Sequence, residues 1–290
     1  MKRLLAVAAA VACLAAADTP PALTSLIEAE RAFAKTSVDK GTREAFLTWL
    51  ADESLLFTPG PTPGKMYYRN RPPLPTQLRW APEFADVSAA GDLGYTSGPW
   101  EISKTATEPP GGFGHFNSIW RIQKDGSWKV EVDLGIQHEK PSVSVADVKT
   151  VDSPKDNAPA PKETRTPTEW QNELLDLDKA LAARADDPGV GVEKAFESAA
   201  AEAIRVYRTD HLPAIGKSAA LKLVVSSGTG GWQPTLARVA KSGDLGYSSG
   251  AIRMKKAGVP ANGPAPPSFY VRIWRRDKAG VWKIVLDVTT

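Results

Sequence analysis

The sequence contains little cysteine and histidine and no strong charge of either sign, and each shortage argues against a kind of function. Its 290 residues include one cysteine, Cys13, and three histidines, His115, His138 and His211. A lone cysteine excludes a disulfide framework within the chain, and scattered histidines do not favour a metal site. The formal net charge of +3 does not indicate the clustered basic surface that nucleic acid requires. We therefore expect no metal, no cofactor and no nucleic-acid partner.

Long apolar runs are missing except at the start of the chain. Residues 1–17 have the pattern of a secretory signal peptide, with basic Lys2 and Arg3, an apolar run, and small residues before Asp18. This run is shorter than the roughly 20 residues that span a bilayer, so we expect no transmembrane segment. Cleavage before Asp18 predicts a periplasmic or secreted protein. A lipoprotein motif ending at Cys13 is the alternative.

A duplicated block of sequence sets the domain organisation. Residues 91–98 (GDLGYTSG) reappear as residues 243–250 (GDLGYSSG), with seven of eight positions identical. A Trp-x-Pro before this block, and Ile-Trp-Arg and Trp-Lys after it, recur in the same order in both copies. Such an internal repeat predicts two copies of one module. We place the modules at residues 18–138 and 167–290, joined by a solvated linker rich in Pro, Ser, Lys and Ala at residues 139–166.

Each copy opens with helical patterns and closes with strand patterns. Capping-box spacing at Ser25 and Thr166 predicts the start of a long helix in each copy, and a second, short helix is predicted at residues 44–50 and 192–203. Apolar and polar residues alternate from Trp128 to Leu134, and the turn at Gly126 predicts a hairpin with the preceding strand. Residues 270–276 and 282–288 repeat this hairpin. Helices before antiparallel strands favour an α+β fold.

Taken together, these features resemble the SnoaL-like domains of the nuclear transport factor 2 superfamily. The features are the helical start, Gly-Lys before a short helix, Trp-x-Pro, the Gly-Asp-Leu-Gly-Tyr block, and the final hairpin. The resemblance implies two tandem cone-like modules, each with N-terminal helices packed on a curved, mainly antiparallel sheet that leaves a pocket at its open end. Because the superfamily includes both enzymes and non-catalytic modules, the resemblance assigns no reaction. No catalytic residue can be carried over to this sequence.

The strand before the final turn differs most between the copies and supplies candidate pocket residues. One face of this strand carries polar groups in the first copy, whereas the second copy carries Phe269 and Val271 at the matching positions. We predict a pocket in the first module with aromatic walls and polar groups from this strand, formed by Tyr67, Tyr68, Trp80, His115, Asn117 and Arg121. His115 is a candidate acid–base group, or a solvated residue after a flexible loop.

Asp133 and Asp287 occupy the same place in the two copies. A carboxylate in an apolar cone can act as a base because burial raises its pKa. Strict alternation with Trp128 instead predicts that Asp133 faces away from the core, towards solvent or an interface. Asp92 and Asp244 lie between glycines and are expected to shape turns.

Three functions remain open from the sequence. The first is binding of a small, largely apolar molecule without established chemistry. The second is an enzyme of the isomerase, dehydratase or hydrolase type that uses His115 or Asp133. The third is a non-catalytic interaction scaffold. In each case we expect the two modules to pack on each other as an intramolecular pseudo-dimer.

Overall fold

A computed structural model describes residues 21–58, 60–154, 161, 165–228, 230–253 and 268–290. The predicted leader, with Cys13, lies outside the described residues, as do residues 155–160 and 162–164 of the predicted linker. No helix in the described part of the chain is long and apolar enough to cross a membrane.

The first module begins with helices and ends with a long hairpin. Its elements are α1 (Pro21–Lys40), α2 (Thr42–Trp49), β1 (Leu50–Phe57), β2 (Pro61–Pro63), α3 (Gly64–Arg69), β3 (Gln77–Trp80), β4 (Phe84–Val87), β5 (Leu93–Ser103), β6 (Gly112–Ile122) and β7 (Trp128–His138). The strands form one sheet in the order β2-β1-β7-β6-β5-β3, and β4 also pairs with β5. All pairs are antiparallel except β1 with β7.

The second module repeats this plan. Its elements are α4 (Pro167–Asp186), α5 (Gly191–Ala199), β8 (Ala200–Arg208), β9 (Ala214–Ile215), α6 (Lys217–Ser226), β10 (Trp232–Val239), β11 (Leu245–Ile252), β12 (Ser268–Arg276) and β13 (Trp282–Thr289). The strand order is β10-β11-β12-β13-β8-β9, with β8 parallel to β13. Two modules with helices on a mainly antiparallel sheet confirm the predicted α+β fold.

Local sequence signals correctly predicted the start of α4 and the turn between β6 and β7. The capping box at Thr166 is present, with Thr166 accepting from the Glu169 amide and the Glu169 side chain accepting from the Thr166 amide. The hairpin turn lies at Gly126, whose positive φ of 82° suits glycine. The predicted start at Ser25 is wrong, because α1 already includes Pro21 and the Ser25 hydroxyl donates to the Ala22 carbonyl within it.

Two strands, β1 and β8, follow the short helices and were not predicted from the sequence. The prediction extended the second short helix to residue 203, whereas the chain leaves α5 at Ala199 and enters a strand. Residues 200–203 are good helix formers. Their strand conformation comes from tertiary pairing with β13, which a local pattern does not reveal.

Buried apolar side chains form three clusters. One lies between the helices and sheet of the first module and includes Leu26, Phe33 and Trp120. Its counterpart in the second module includes Leu174 and Trp274. The third combines residues from the outer faces of both sheets: Phe57, Phe84, Leu93, Tyr95, Ile119, Val132, Leu134, Ile136, Tyr207, Ala240, Leu245, Tyr247, Val271, Ile273, Leu286 and Val288. Each sheet therefore has apolar side chains on both faces.

The first part of the predicted linker packs against the first module. A short 3₁₀ helix spans Val145–Asp147. The backbone of Asp152 then exchanges hydrogen bonds with Glu83 and Ala85, and Val151 packs against the first core. These residues are therefore attached to the edge of the first sheet rather than fully solvated.

Candidate functional site

A cavity of about 490 Å³ opens on the concave, helix-facing side of the first sheet. Helices α1 and α2 contribute Phe33 and Phe46, and the sheet contributes strands β3, β5, β6 and β7. Most of the lining is aromatic or aliphatic, with few polar groups: Phe33, Phe46, Tyr68, Leu78, Trp80, Trp100, Ile102, Phe116, Ser118, Asp133, Gly135, Ile136 and Gln137. This volume and lining are typical of a small-molecule site.

Asp133 is the one carboxylate among the lining residues. It lies opposite Ser118 on the neighbouring strand, and the Ser118 hydroxyl donates to its Oδ2 at 2.7 Å. Burial raises the pKa of Asp133 from 3.8 to about 6, although the bond from Ser118 lowers it. Among the described residues, no Lys or Arg forms an ion pair with this carboxylate. Asp133 thus places a carboxyl group with a raised pKa in apolar surroundings.

The sequence expectation that Asp133 faces solvent or an interface is wrong, because β7 contains a β-bulge. Trp120 pairs with Val130 and Ile119 pairs with Val132, so Glu131 is the extra residue. A bulge shifts the alternation of side chains by one position. Val130 therefore faces the helices, as Trp128 does, but beyond the bulge Val132 packs in the layer between the sheets.

A second carboxylate, Glu30 of α1, is fully buried behind the cavity wall. Its oxygens accept hydrogen bonds from Trp80 Nε1 at 2.6 Å, Thr96 Oγ1 at 2.5 Å and Trp120 Nε1 at 2.9 Å. Burial raises the pKa of Glu30 to about 7, although these bonds lower it, and the charge of Asp133 raises it further. Glu30 was not among the predicted site residues. The available signal was a charged residue on the apolar face of α1, four positions after Leu26.

The predicted aromatic walls lie on the cavity side of the sheet. Tyr68 and Trp80 line the cavity, and the Tyr68 ring stacks on Phe46 with a centroid distance of 4.4 Å. Burial, followed by the charge of Asp133, raises the pKa of the Tyr68 hydroxyl. Tyr67 is not among the residues that line the cavity. Its ring lies edge-on to that of Tyr68, and the Arg71 guanidinium lies 3.9 Å from the centre of the Tyr67 ring.

The three predicted polar residues lie on the opposite face of β6 from the cavity. His115 Nδ1 lies 2.7 Å from His138 Nε2, and its Nε2 lies 3.2 Å from Glu83 Oε1. Asn117 is buried, and neither atom of its amide group has a hydrogen-bond partner in the described structure. Arg121 Nε donates to Glu131 at 2.5 Å. The structure therefore separates His115, Asn117 and Arg121 from Tyr68 and Trp80.

The concave side of the second module carries a guanidinium at the position of Ser118. Arg272 pairs with Asp287 across the hairpin, as Ser118 pairs with Asp133. Its Nε donates to Asp287 Oδ2 and its Nη1 donates to Asp178 Oδ1, both at 2.7 Å. Although burial raises the pKa of Asp287, Arg208 and Arg272 hold it below its usual value. The second module therefore neutralises its carboxylates with its own cations.

A larger cavity, of about 730 Å³, lies where the two modules meet. Its cationic side chains already have partners within the protein, since Arg275 contacts Asp86, Arg276 contacts Glu173, and Lys217 contacts Glu202. Arg205 lies 3.6 Å above the ring of Phe84. These charges are engaged within the protein, and the smaller cavity has the more apolar lining of the two. In the described part of the chain, no group of three or more His, Cys, Asp or Glu residues is arranged to hold a metal ion.

Several solved structures similar to this chain are NTF2-like proteins or have a cystatin-like fold. One, of unknown function, comes from Nostoc punctiforme, with 16% identity over 41% of this chain and 92% of that chain, and a TM-score of 0.32. An NTF2-like protein from Pseudomonas putida has 19% identity over 40% of this chain and 87% of its own, with a TM-score of 0.32. A candidate ketosteroid isomerase from Parabacteroides distasonis has 14% identity over 39% and 86%, with a TM-score of 0.30.

Neither a protein-family model nor a curated protein matches the sequence. The α+β class of the protein rests on its own strand order and packing, and likenesses this weak add nothing about a ligand or a reaction.

Proposed function

We propose that the protein binds a small, largely apolar molecule in the cavity of the first module. The observation that carries this proposal is a cavity of about 490 Å³ lined by six aromatic side chains, with Asp133 and Ser118 as an adjoining polar pair. Aromatic walls bind apolar surface through burial, and a few placed polar groups fix the orientation of a ligand.

Binding of a neutral apolar dye tests this proposal. N-phenyl-1-naphthylamine should fluoresce when titrated with the full chain, because the aromatic walls shield it from water. The variant Ile102→Trp places a larger side chain on the cavity lining and should abolish the signal. Leu74→Trp, at an exposed position, is the matched control and should leave the signal unchanged. Equal fluorescence with both variants would place dye binding elsewhere, and mass spectrometry of co-purifying small molecules would identify a natural ligand.

Proton transfer by Asp133 is the second candidate function, favoured by one observation. The carboxylate lines the cavity and has a pKa of about 6, which suits a general base at neutral pH. His115 is less suitable, because it lies on the other face of the sheet from this cavity. A bound ketone such as 2-tetralone should then exchange its acidic carbon-bound protons for deuterium faster than in buffer. Asp133→Asn should remove this acceleration and His115→Ala should retain it. Unchanged exchange in Asp133→Asn would rule out proton transfer by Asp133.

We also propose that residues 18–138 and 167–290 form an intramolecular pseudo-dimer joined through their sheets. This is supported by the shared apolar layer and by hydrogen bonds in both directions. The Lys241 amide donates to Asp92 at 3.1 Å, and the Ala89 amide donates to Asp244 at 3.0 Å. X-ray scattering of the full chain should give the profile of one compact particle. A profile of two independently moving bodies would contradict the proposal.

Export is proposed from the leader alone. Expression in a bacterium with the leader intact should yield a mature chain that starts at Asp18 in the periplasm or medium, as read by N-terminal mass spectrometry. A chain that starts at a lipidated Cys13 would support the lipoprotein alternative, and an uncleaved Met1 start in the cytoplasm would contradict both.

A further inference from the structure

Because the two modules are copies of one plan, side chains at matching positions can be compared, and the second module indicates which chemical group fits the cavity of the first. Three pairs of side chains in the two modules correspond by strand register. Ser118 and Arg272 hold one position, Asp133 and Asp287 another, and Trp120 and Trp274 a third. The tryptophans confirm the match in space, since Trp120 Nε1 donates to Thr96 and Trp274 Nε1 donates to Ser248, the same position of the repeat.

In the second module the guanidinium of Arg272 is fully buried in a site made of carboxylates and rings. Asp178 and Asp287 accept its hydrogen bonds. Its carbon lies 3.9 Å from the ring centre of Trp232 and 4.3 Å from that of Tyr270. A cation over aromatic faces and between carboxylates gains both ion-pair and cation–π energy.

The first module keeps one of these carboxylates and both ring positions at the cavity, without the cation. Asp133 takes the place of Asp287, Trp80 that of Trp232, and Phe116 that of Tyr270, and all three line the cavity. Ser118 replaces Arg272 and reaches no further than Asp133. In the described structure Glu30 and Asp133 accept hydrogen bonds only from tryptophan, threonine and serine side chains, none of which carries a positive charge.

We infer that the first module binds a molecule with a cationic head, a guanidinium or a protonated amine, on an apolar body. The head pairs with Asp133 and lies against the faces of Trp80 and Phe116, as Arg272 does in the second module. The apolar body contacts the remaining aromatic walls. This inference rests on the proposed function, because it names the class of molecule that the same cavity takes.

A matched set of three probes tests the head group. 2-Phenylethylguanidine, 2-phenylethanol and 3-phenylpropanoate share a phenyl ring on a short chain and differ in charge. Titrated calorimetrically into the full chain at pH 8, the guanidine should bind at least about tenfold more tightly than the alcohol, because a hydrogen bond to a charged group contributes more than one to a neutral group. The carboxylate should bind most weakly.

Variants assign the preference to Asp133. Asp133→Asn should reduce guanidine binding to the level of the alcohol, and Asp39→Asn, an exposed change of the same charge on α1, should not. Ser118→Arg should abolish guanidine binding by supplying the cation from within, with a cooperative melt as the check that it folds. Equal binding of alcohol and guanidine, or a preference unaffected by Asp133→Asn, would overturn the inference while leaving cavity binding intact. Failure of all three probes and of the neutral dye would overturn both.

Discussion

Glu30 and Asp178 hold corresponding places on the first helix of each module, but their partners differ in charge. Within the described residues, Glu30 accepts hydrogen bonds only from uncharged donors, whereas Asp178 accepts from Arg272 and from the Tyr270 hydroxyl. Desolvation of an unpaired carboxylate favours its neutral form. The pKa of Glu30 is accordingly raised from 4.5 to about 7. The corresponding buried carboxylate therefore has uncharged hydrogen-bond donors in the first module and a positively charged donor in the second.

This raised pKa predicts a pH-dependent stability contribution from Glu30. The folded state holds the proton more tightly than the unfolded state, so the contribution is fully present below pH 4.5 and is lost as pH rises through 7. Glu30→Gln cannot ionise. Its free energy of unfolding relative to the natural chain should therefore improve by about 2 kcal/mol between pH 5 and pH 8. Urea unfolding at both pH values measures this difference. A gap that is constant with pH would contradict the raised pKa.

In the second module, the buried carboxylate of Asp178 depends on the positive charge of Arg272, so removal of that charge should destabilise the fold. Arg272→Ala leaves Asp178 buried without its cation, and removal of one partner of a buried ion pair costs about 3–5 kcal/mol. Urea unfolding should show this loss. Ser118→Ala, at the matching position of the first module, removes only a neutral donor and should cost about 1 kcal/mol. Arg184→Ala, an exposed change on α4, controls for loss of charge. Equal costs for Arg272→Ala and Ser118→Ala would show that the two positions are not distinguished by charge.

At the scale of elements, the β-bulges in β7 and β13 decide which residues face the cone. Glu131 is the extra residue in the first hairpin and Val285 is the extra residue in the second. After each bulge an aspartate turns towards the helices and the neighbouring apolar residues turn towards the layer between the sheets. One strand thereby contributes to two cores.

Deletion of Glu131 should therefore be far more damaging than its substitution. Without the extra residue, Val132 and Leu134 would turn towards the cavity and Asp133 towards the apolar layer. The free energy of unfolding should fall by at least about 3 kcal/mol, because several buried side chains change surroundings. Glu131→Ala keeps the bulge and loses only bonds from Arg121 and Tyr247. Equal stability of the two variants in urea would contradict the role of the bulge.

Sequence patterns predicted the elements whose signal is local. The hairpin turn at Gly126, the cap at Thr166 and the duplicated α+β plan were all evident from spacing and repetition. The orientation of Asp133 was not, because a bulge depends on pairing with β6 and leaves no mark on the alternation itself. The strands β1 and β8 were also not predicted, because their pairing with β7 and β13 depends on residues far away in the sequence. The difference between Ser118 and Arg272 was visible in the sequence, but only the structure shows that Arg272 reaches both Asp178 and Asp287.

At the scale of the whole molecule, contacts between the modules run in both directions. The aspartates expected to shape turns, Asp92 and Asp244, accept backbone hydrogen bonds across the junction. The Tyr207 hydroxyl also lies 2.7 Å from Ser97 Oγ, and the Tyr247 hydroxyl donates to Glu131 at 3.0 Å. These polar contacts accompany the apolar layer that the two sheets share.

Removal of either aspartate should weaken the junction. Asp92→Ala and Asp244→Ala each leave an amide of the other module without its carboxylate acceptor, and each should cost about 2 kcal/mol. Hydrogen exchange measures the effect locally, with faster exchange at Lys241 in the first variant and at Ala89 in the second. Asp39→Ala, which breaks an exposed pair, is the control. Slow exchange at both amides in both variants would contradict the bonding scheme.

Arg272 has a consequence that extends beyond stability. A guanidinium carried by the chain cannot diffuse away, so its effective concentration at Asp178 and Asp287 is independent of dilution. The second module thus carries its own cation, whereas the first has a serine at that position. If the proposed cationic ligand binds, one molecule per chain should therefore saturate the protein.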